Sequence, residues 1–521
     1  MDALADSLKV IADWITQHIT MWALIATGLF LTAVTRGVQV RHLPTMIRQV
    51  ASSRSGAGGG ISSFQAFAIS LAARVGVGNV FGVAAALLYG GPGAVFWMWV
   101  VALVGMATAF FEATLAQIFK VRAPDGSFRG GPAFYMARGM GGAGGRVMAG
   151  VFAVITLVTC GFIITSVQSN AVAGTLVAAL GGGEGSALPG FGGLSAAQLV
   201  VAGLVLVLTA VVVFGGIRAV ARVTEWMAPV MALIYIVLVA VVCLLNLGDF
   251  WRVIGRIISS AFAPEPLVGG LGGGVLAAVI NGTKRGLFSN EAGQGTAPNA
   301  AATATVAHPV QQGLIQSLGV FVDTIVVCTA TAFVILIAGP DTWTAPGANP
   351  STLTTLAIAH GLGGWTVLPM AVLIFVLAYS SIIAAYVYTD VNMDYLTGGR
   401  RWASWTVRVV SVASATAGAV LSLDVVWNAV DIAMAVMTLT NLVALIRLHR
   451  WGAGALRDYE DQLRAGAAEP VFRGRDNPRL PGDVPGGVWS SSDDDVTAAD
   501  ADDGSAPAPP AASPAPATTE E

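Results

Sequence analysis

Arg74-Val75-Gly76-Val77-Gly78-Asn79 lies inside an apolar run of about 65–89, and Ser289-Asn290-Glu291-Ala292-Gly293-Gln294-Gly295 inside another of about 268–306. Both stretches set glycines and polar side chains where an unbroken membrane helix would otherwise continue. In hydrocarbon an unpaired backbone group is costly, so unwound chain persists there only where it faces protein, water or a ligand. The two interruptions therefore mark candidate binding positions.

The rest of the chain supports a membrane setting. Apolar residues make up 55% and charged residues 11%, with a mean hydropathy of +0.72, whereas a soluble protein is about one quarter charged. The net charge of −3 gives no ground for a nucleic-acid partner. Apolar runs of spanning length fall at about 19–38, 65–89, 92–119, 147–178, 196–214, 223–246, 268–306, 313–338, 365–390, 404–422 and 426–446. The sequence thus reads as an all-α integral membrane protein with about 11 transmembrane helices. The first run follows Asp2, Asp6 and Asp13 and has no basic start, so it reads as a retained helix and not a signal peptide.

The interrupted runs are the second and the seventh. An offset of five makes them antiparallel, the pattern of an inverted five-helix repeat (about 65–246 and about 268–446) with a site near the midplane. Basic residues collect in alternate loops: Arg36, Arg41, Arg48 and Arg54, then Lys120, Arg122, Arg129, Arg138 and Arg146, then Arg218 and Arg222, then Arg400 and Arg401. The positive-inside rule makes those loops cytoplasmic in a cell membrane, with residues 1–18 outside and the tail 448–521 inside. From about Gly474 the tail turns to Asp, Ser, Pro and Ala, a composition expected to stay disordered.

At a break, the new half-helix offers unpaired amides and a positive dipole end, so Gly76 to Asn79, Val77 included, suit a carboxylate. The half-helix that ends there leaves carbonyls, at Val75 and Gly76, that suit a sodium ion. A zwitterionic amino acid with sodium matches that inventory, and no cofactor is called for. Gln168, in the polar cluster Thr165-Ser166-Val167-Gln168-Ser169-Asn170 of the fourth run, can bond a ligand, whereas its Ser and Thr neighbours can satisfy themselves on their own helix. Ser380 and Ser381, beside Tyr379, can complete an oxygen cage. Ionisable groups inside runs are Arg74, Glu112, Lys284, Arg285, Glu291, Asp323 and Asp390. Arg74 is expected to pair with a carboxylate as a structural or gating bridge; Glu291 is the functional acid of choice; Asp323 is held by hydrogen bonds from neighbouring helices. Cys160, Cys243 and Cys328 read as small buried hydrophobes, and neither His308 nor His360 suggests a transition-metal site. No His-Glu-x-x-His or Gly-x-Ser-x-Gly points to an intramembrane enzyme. Coupling to protons, another amino acid as cargo and a passive channel are the remaining alternatives.

Several stretches resemble the alanine or glycine:cation symporters, also called sodium:alanine symporters. They are Arg74 to Asn79, Gly90-Gly-Pro-Gly-Ala-Val-Phe-Trp-Met-Trp99, Arg129-Gly-Gly-Pro-Ala-Phe-Tyr135, Lys284-Arg-Gly-Leu-Phe-Ser-Asn-Glu-Ala-Gly-Gln-Gly-Thr-Ala-Pro-Asn299, His308-Pro309 and Gly319-Val-Phe-Val-Asp-Thr324. The resemblance implies a leucine-transporter-like fold with one extra N-terminal helix, alternating access, and uptake of alanine, glycine or a similar small neutral amino acid with sodium. It implies a substrate site at Gly76, Val77, Gly78, Asn79, Gln168, Ser289, Asn290, Gly293 and Gln294, and a sodium site at Val75, Gly76, Ser380 and Ser381. Arg74, Glu112, Glu291 and Asp323 are left as gating or structural charges. The chain departs from the family pattern at Val77, usually Thr, at Gln294, often Met, and around Ala385, where the family has a Trp.

Overall fold

Apolar runs with internally paired backbones fold as helices in lipid, and among the described residues the computed structural model is mainly helical, with a short antiparallel hairpin pairing Val121–Arg122 with Phe128–Arg129. It describes residues 2–52, 60–123, 126–179, 194–263, 274–345, 348–420 and 423–489. In chain order the elements that position the site are α1 (Val10–Val34), α2 (Ser63–Arg74), α3 (Gly78–Gly90), α4 (Gly93–Ile118) and α5 (Gly142–Ala179). They continue with α6 (Ala196–Val213), α7 (Gly216–Leu245), α8 (Leu247–Ala261), α9 (Gly274–Asn290) and α10 (Ala297–Ala301). The last are α11 (Pro309–Ile337), α12 (Pro350–Leu362), α13 (Gly364–Thr397), α14 (Arg401–Gly418) and α15 (Leu423–Arg464).

Among the described residues, 8 helices are long and apolar enough to cross a membrane, or 9 with the pair α2 and α3, which bends by 46°. The protein is therefore a multi-pass helical membrane protein. The α9–α10 pair and α14 fold as helices where the sequence reading puts spans, but lie outside that count.

The N-terminal segment differs from expectation. The sequence starts the first span at about 19, yet α1 runs from Val10, and the helical stretch Asp2–Ile15 that leads into it packs on α15. The cause is a buried charge: Lys284 Nζ lies 2.5 Å from Asp13 Oδ1 and 3.3 Å from Asp431 Oδ2, which ties the start of the chain to α9 and α15. The other end differs too. Beyond α15 the chain folds back as a clasp up to Trp489, past the Gly474 where order was expected to end. Phe472 donates its amide to Ala307 O at 3.0 Å, and its ring and that of Tyr459 each stand 5.1 Å from His308. Trp489 Nε1 donates to Gln117 O at 3.1 Å, and Lys120 Nζ sits 4.1 Å from the Phe128 ring and 4.8 Å from that of Trp489. Burial holds the His308 imidazole below its ordinary value, against the pull of Asp458 3.1 Å away. Expectations for the tail after residue 489 lie outside the described residues.

Two helices, α8 and α12, have no counterpart in the sequence reading, which sought runs of spanning length. Helix α8 buries Val253, Ile257 and Ala261, spaced by four, and exposes much of the rest, an amphipathic pattern. Helix α12 starts from Asn349, whose side chain accepts from Ser351 N at 2.9 Å, with Pro350 in the first turn. Its Thr354 Oγ1 reaches Val80 O at 3.3 Å, closing over α3. Close packing relies on small residues: a Cβ on Gly418 of α14 would lie 2.5 Å from Ser166 Cα. There Ser169 and Asn170 of α5 donate to the carbonyls of Ala415 and Gly418.

Candidate functional site

Helix α2 ends because Val75 leaves the helical region (φ −77°, ψ 81°), and the amides beyond it find new acceptors. The Gly76 amide donates to Arg74 O at 2.9 Å and Asn79 Oδ1 at 3.0 Å, and the Val77 amide to Gln168 Oε1 at 3.2 Å. In an unbroken helix those two amides would have gone to the carbonyls of Ala72 and Ala73. Both carbonyls are instead met by hydroxyls from α13: Ser380 Oγ donates to Ala72 O at 3.0 Å, and Ser381 Oγ lies 2.9 Å from Ala72 O and 3.0 Å from Ala73 O. Leu377 O is 2.7 Å from Ser380 Oγ and 3.3 Å from Ser381 Oγ. Five neutral oxygens thus converge where α2 breaks. Sequence reasoning puts the backbone oxygens at Val75 and Gly76; the structure moves them about one turn back, to Ala72 and Ala73.

Asn79 links this break to the second. Its Nδ2 donates to Asp323 Oδ1 at 2.6 Å, while Ser289 Oγ donates to Asp323 Oδ2 at 2.7 Å and Thr324 Oγ1 to the same oxygen at 2.8 Å. Asp323, buried on α11, is therefore the joint between the two interrupted helices. The breaks also touch directly, since a Cβ on Gly78 would lie 3.2 Å from Ser289 Cα. Asn290 Nδ2 donates to Thr324 Oγ1 at 3.2 Å.

The second break turns through the left-handed region at Glu291 (φ +56°), Gly293 (φ +86°) and Gly295 (φ +83°). Glu112 of α4 holds it open: its carboxylate accepts from the amides of Gly293 at 3.1 Å and Gly295 at 2.8 Å, and from Asn441 Nδ2 at 2.6 Å. Tyr135 in turn donates to Asn441 Oδ1. Glu291 accepts from Thr296 Oγ1 at 2.7 Å.

One sequence expectation is corrected here, and two of the expected site residues have their contacts elsewhere. Arg74 forms no ion pair among the described residues; its Nη1 donates to Gln316 O at 3.2 Å, and Nε and Nη2 are buried without a partner. Its guanidinium packs against Gly319 of α11, where even an added Cβ would collide with Nη1, and this seat fixes it on a carbonyl in place of a carboxylate. Gly293 faces Leu24 and Leu442, away from the first break, and is held by Glu112 and Asn441. Gln294 caps its own helix, donating to Leu287 O at 2.6 Å. The structure thus gathers Gly76, Val77, Gly78, Asn79, Gln168, Ser289, Asn290, Ser380, Ser381 and Asp323, and sets Gly293 and Gln294 aside.

A family model described as the sodium:alanine symporter family matches residues 1–474. The chain belongs to the sodium:alanine symporter family. The amino-acid carrier protein AlsT of Bacillus subtilis is 40% identical over 482 residues, 92% of this chain and 97% of its own. The probable sodium/glutamine symporter GlnT of the same organism is 38% identical over 88% of this chain and 91% of its own. The sodium/alanine symporter AgcS of Methanococcus maripaludis is 36% identical over 82% and 90%. Membership in the sodium:alanine symporters makes this chain a transporter and not an enzyme.

Sequence reasoning misses several of the site's partners. Cys328 reads as packing, yet its Sγ lies 3.1 Å from Ser289 Oγ and 3.3 Å from Asn79 Nδ2. Thr331, one turn on, donates to Asn79 O at 2.8 Å. The spacing Asp323, Thr324, Cys328, Thr331 along one helix is the available signal. Gly76 marks the tightest point: an added Cβ would collide with Ser381 Oγ and lie 3.3 Å from both amide atoms of Gln168. Gly76→Ala is therefore expected to cut uptake by about tenfold or more, as overpacking costs about 1–3 kcal/mol. Radiolabelled uptake normalised to the amount of reconstituted protein checks it.

Proposed function

We propose that this protein is a secondary active symporter that takes up a small neutral amino acid, alanine or glycine foremost, together with sodium by alternating access. The observation that carries the reading is the exchange of partners at the first break: the amides of Gly76 and Val77 are diverted to side chains, and the carbonyls they abandon join Ser380 and Ser381 in an oxygen cluster. Five uncharged oxygens suit a hard monovalent cation, which accepts carbonyl and hydroxyl oxygens in place of its hydration shell. Bound there, sodium would take the lone pairs of the hydroxyls that now donate to Ala72 and Ala73.

Beside it, the amides of Gly76 and Val77 are capped by Asn79 Oδ1 and Gln168 Oε1. These are the acceptors a substrate carboxylate would replace, so the break is satisfied by its own side chains until substrate arrives. Sodium and carboxylate then meet at one loop of three residues, and each favours the other's binding by reciprocal linkage. In this reading the helices form an inverted five-helix repeat with an extra N-terminal helix, the N-terminus lies outside the cell, and the clasp lies in the cytoplasm. The relatives named for alanine and for glutamine make glutamine the competitor to include.

Uptake of labelled L-alanine into proteoliposomes under a sodium gradient tests the function, with glycine, L-serine, L-glutamine and D-alanine as competitors. Ser380→Ala with Ser381→Ala is expected to raise the half-saturating sodium concentration about tenfold, about 1.4 kcal/mol of lost coordination, with alanine affinity at saturating sodium little changed. Uptake that ignores sodium, or that follows a pH gradient instead, sinks the coupling. Saturable uptake with counterflow separates the symporter from a channel.

A further inference from the structure

The last helix carries a stripe that no transport role uses. On α15, Val443, Ile446, Arg450, Ala453 and Arg457 follow one another at steps of three and four, so they share one face. The stripe is apolar at first, with Val443 47% and Ile446 45% exposed, and turns basic where the neighbouring α1 ends at Val34. At that level Val34, His449, Arg450, Ala453 and Arg457 line a cavity of 310 Å³. Below it, Phe30 of α1, 39% exposed, stands edge-on to the His449 ring at 5.2 Å.

The cations of this cavity have no carboxylate of their own. The acids of the same helix segment are engaged elsewhere: Glu460 with Arg41 at 2.7 Å and His42 at 2.9 Å, Asp458 with His308 at 3.1 Å, and Asp461 with Arg464 at 2.8 Å. Among the described residues neither Arg450 nor Arg457 forms an ion pair, and both are exposed. Guanidinium groups recognise phosphate oxygens by paired, charge-assisted hydrogen bonds.

We infer that this cavity is a binding site for the phosphate headgroup of an anionic phospholipid, whose acyl chain lies along Phe30, Ile446 and Val443. The order of the stripe argues for a lipid over a free anion: apolar and exposed within the spanning length, then cationic beside a cavity at its edge, the amphiphile's own profile in register. This inference stands apart from the identity of the transported substrate.

Native mass spectrometry of the full chain in mild detergent, titrated with phosphatidylglycerol or phosphatidylcholine, tests it. Each basic group near an anionic headgroup strengthens binding roughly fivefold, so Arg450→Gln with Arg457→Gln is expected to weaken phosphatidylglycerol retention by about thirtyfold. The matched loss of charge in Arg400→Gln with Arg401→Gln should leave it within about twofold of the unaltered chain. Equal retention of the two lipids, or equal effects of the two double variants, overturns a built site. Displacement of bound lipid by millimolar inorganic phosphate would make it a free-anion site instead. A dimer that dissociates only in the Arg450→Gln, Arg457→Gln variant would assign the face to a second copy of the chain and also overturn the proposal.

Discussion

Asn79→Ala should lower sodium-driven uptake about 100-fold while the protein remains folded in the membrane. The side chain performs two tasks at once: Oδ1 accepts the Gly76 amide at 3.0 Å, and Nδ2 donates to Asp323 Oδ1 at 2.6 Å. Truncation leaves the Gly76 amide with only its bent bond to Arg74 O and a buried Asp323 oxygen without a donor, the latter costing about 1–3 kcal/mol. The loss falls on the geometry shared by both breaks, so it acts on transport more than on folding. Asn79→Asp is no remedy, because it sets a second carboxylate against Asp323. Proteoliposome uptake beside a thermal-unfolding curve separates the two effects, and uptake within about threefold of the unaltered chain would remove Asn79 from the site.

Glu112→Gln is expected to damage stability and transport together. Both carboxylate oxygens are acceptors in the structure, one toward Gly295 N and Asn441 Nδ2, the other toward Gly293 N. An amide has one oxygen, so its NH2 must face a donor, and a buried N–H is orphaned at a cost of about 2–4 kcal/mol in all. The cost is concentrated where Glu291 already holds a left-handed backbone, a strain of about 1–3 kcal/mol that persists only while its surroundings enforce it. Detergent-purified protein should therefore unfold several degrees lower, and uptake should be lost. Glu112→Asp keeps the charge but withdraws it by one methylene, and should fall between the two. An unchanged unfolding temperature would show that the second break holds its shape without Glu112.

Much of the fold and part of the site are legible in the residues themselves. The apolar runs mark the helices, because lipid leaves the backbone no other way to pair, and the glycine-rich interruptions mark both breaks. Gln168 separates from its Ser and Thr neighbours on the ground that hydroxyls pair locally whereas a long amide does not, although Ser166 and Ser169 in fact donate to carbonyls of α14. The carbonyls of the oxygen cluster lie about one turn before those read from sequence, because sequence shows where a helix stops but not which amides abandon which carbonyls. Charge alone assigns Arg74 a carboxylate, while packing at Gly319 and the carbonyl of Gln316 decide its contacts. Gly293 and Gln294 are named through a motif, and sequence does not show that the one rests against Leu24 and Leu442 and the other on Leu287 O. Helices α8 and α12 escape notice because helices of 15 and 13 residues carry no spanning signature.

The clasp over His308 and Lys120 bears on the order in which the molecule is finished. Residues 472–489 leave the ribosome after the last span, yet they join the end of α4 and the hairpin that follows it to the turn before α11, which is made much later in the chain. Until residues 472–489 are made, that face of the three segments has no cover from the clasp. The final stitch is set only when every helix is in place, so a chain stalled or cut after α15 would carry all its spans and still lack the bond that fastens their exposed ends.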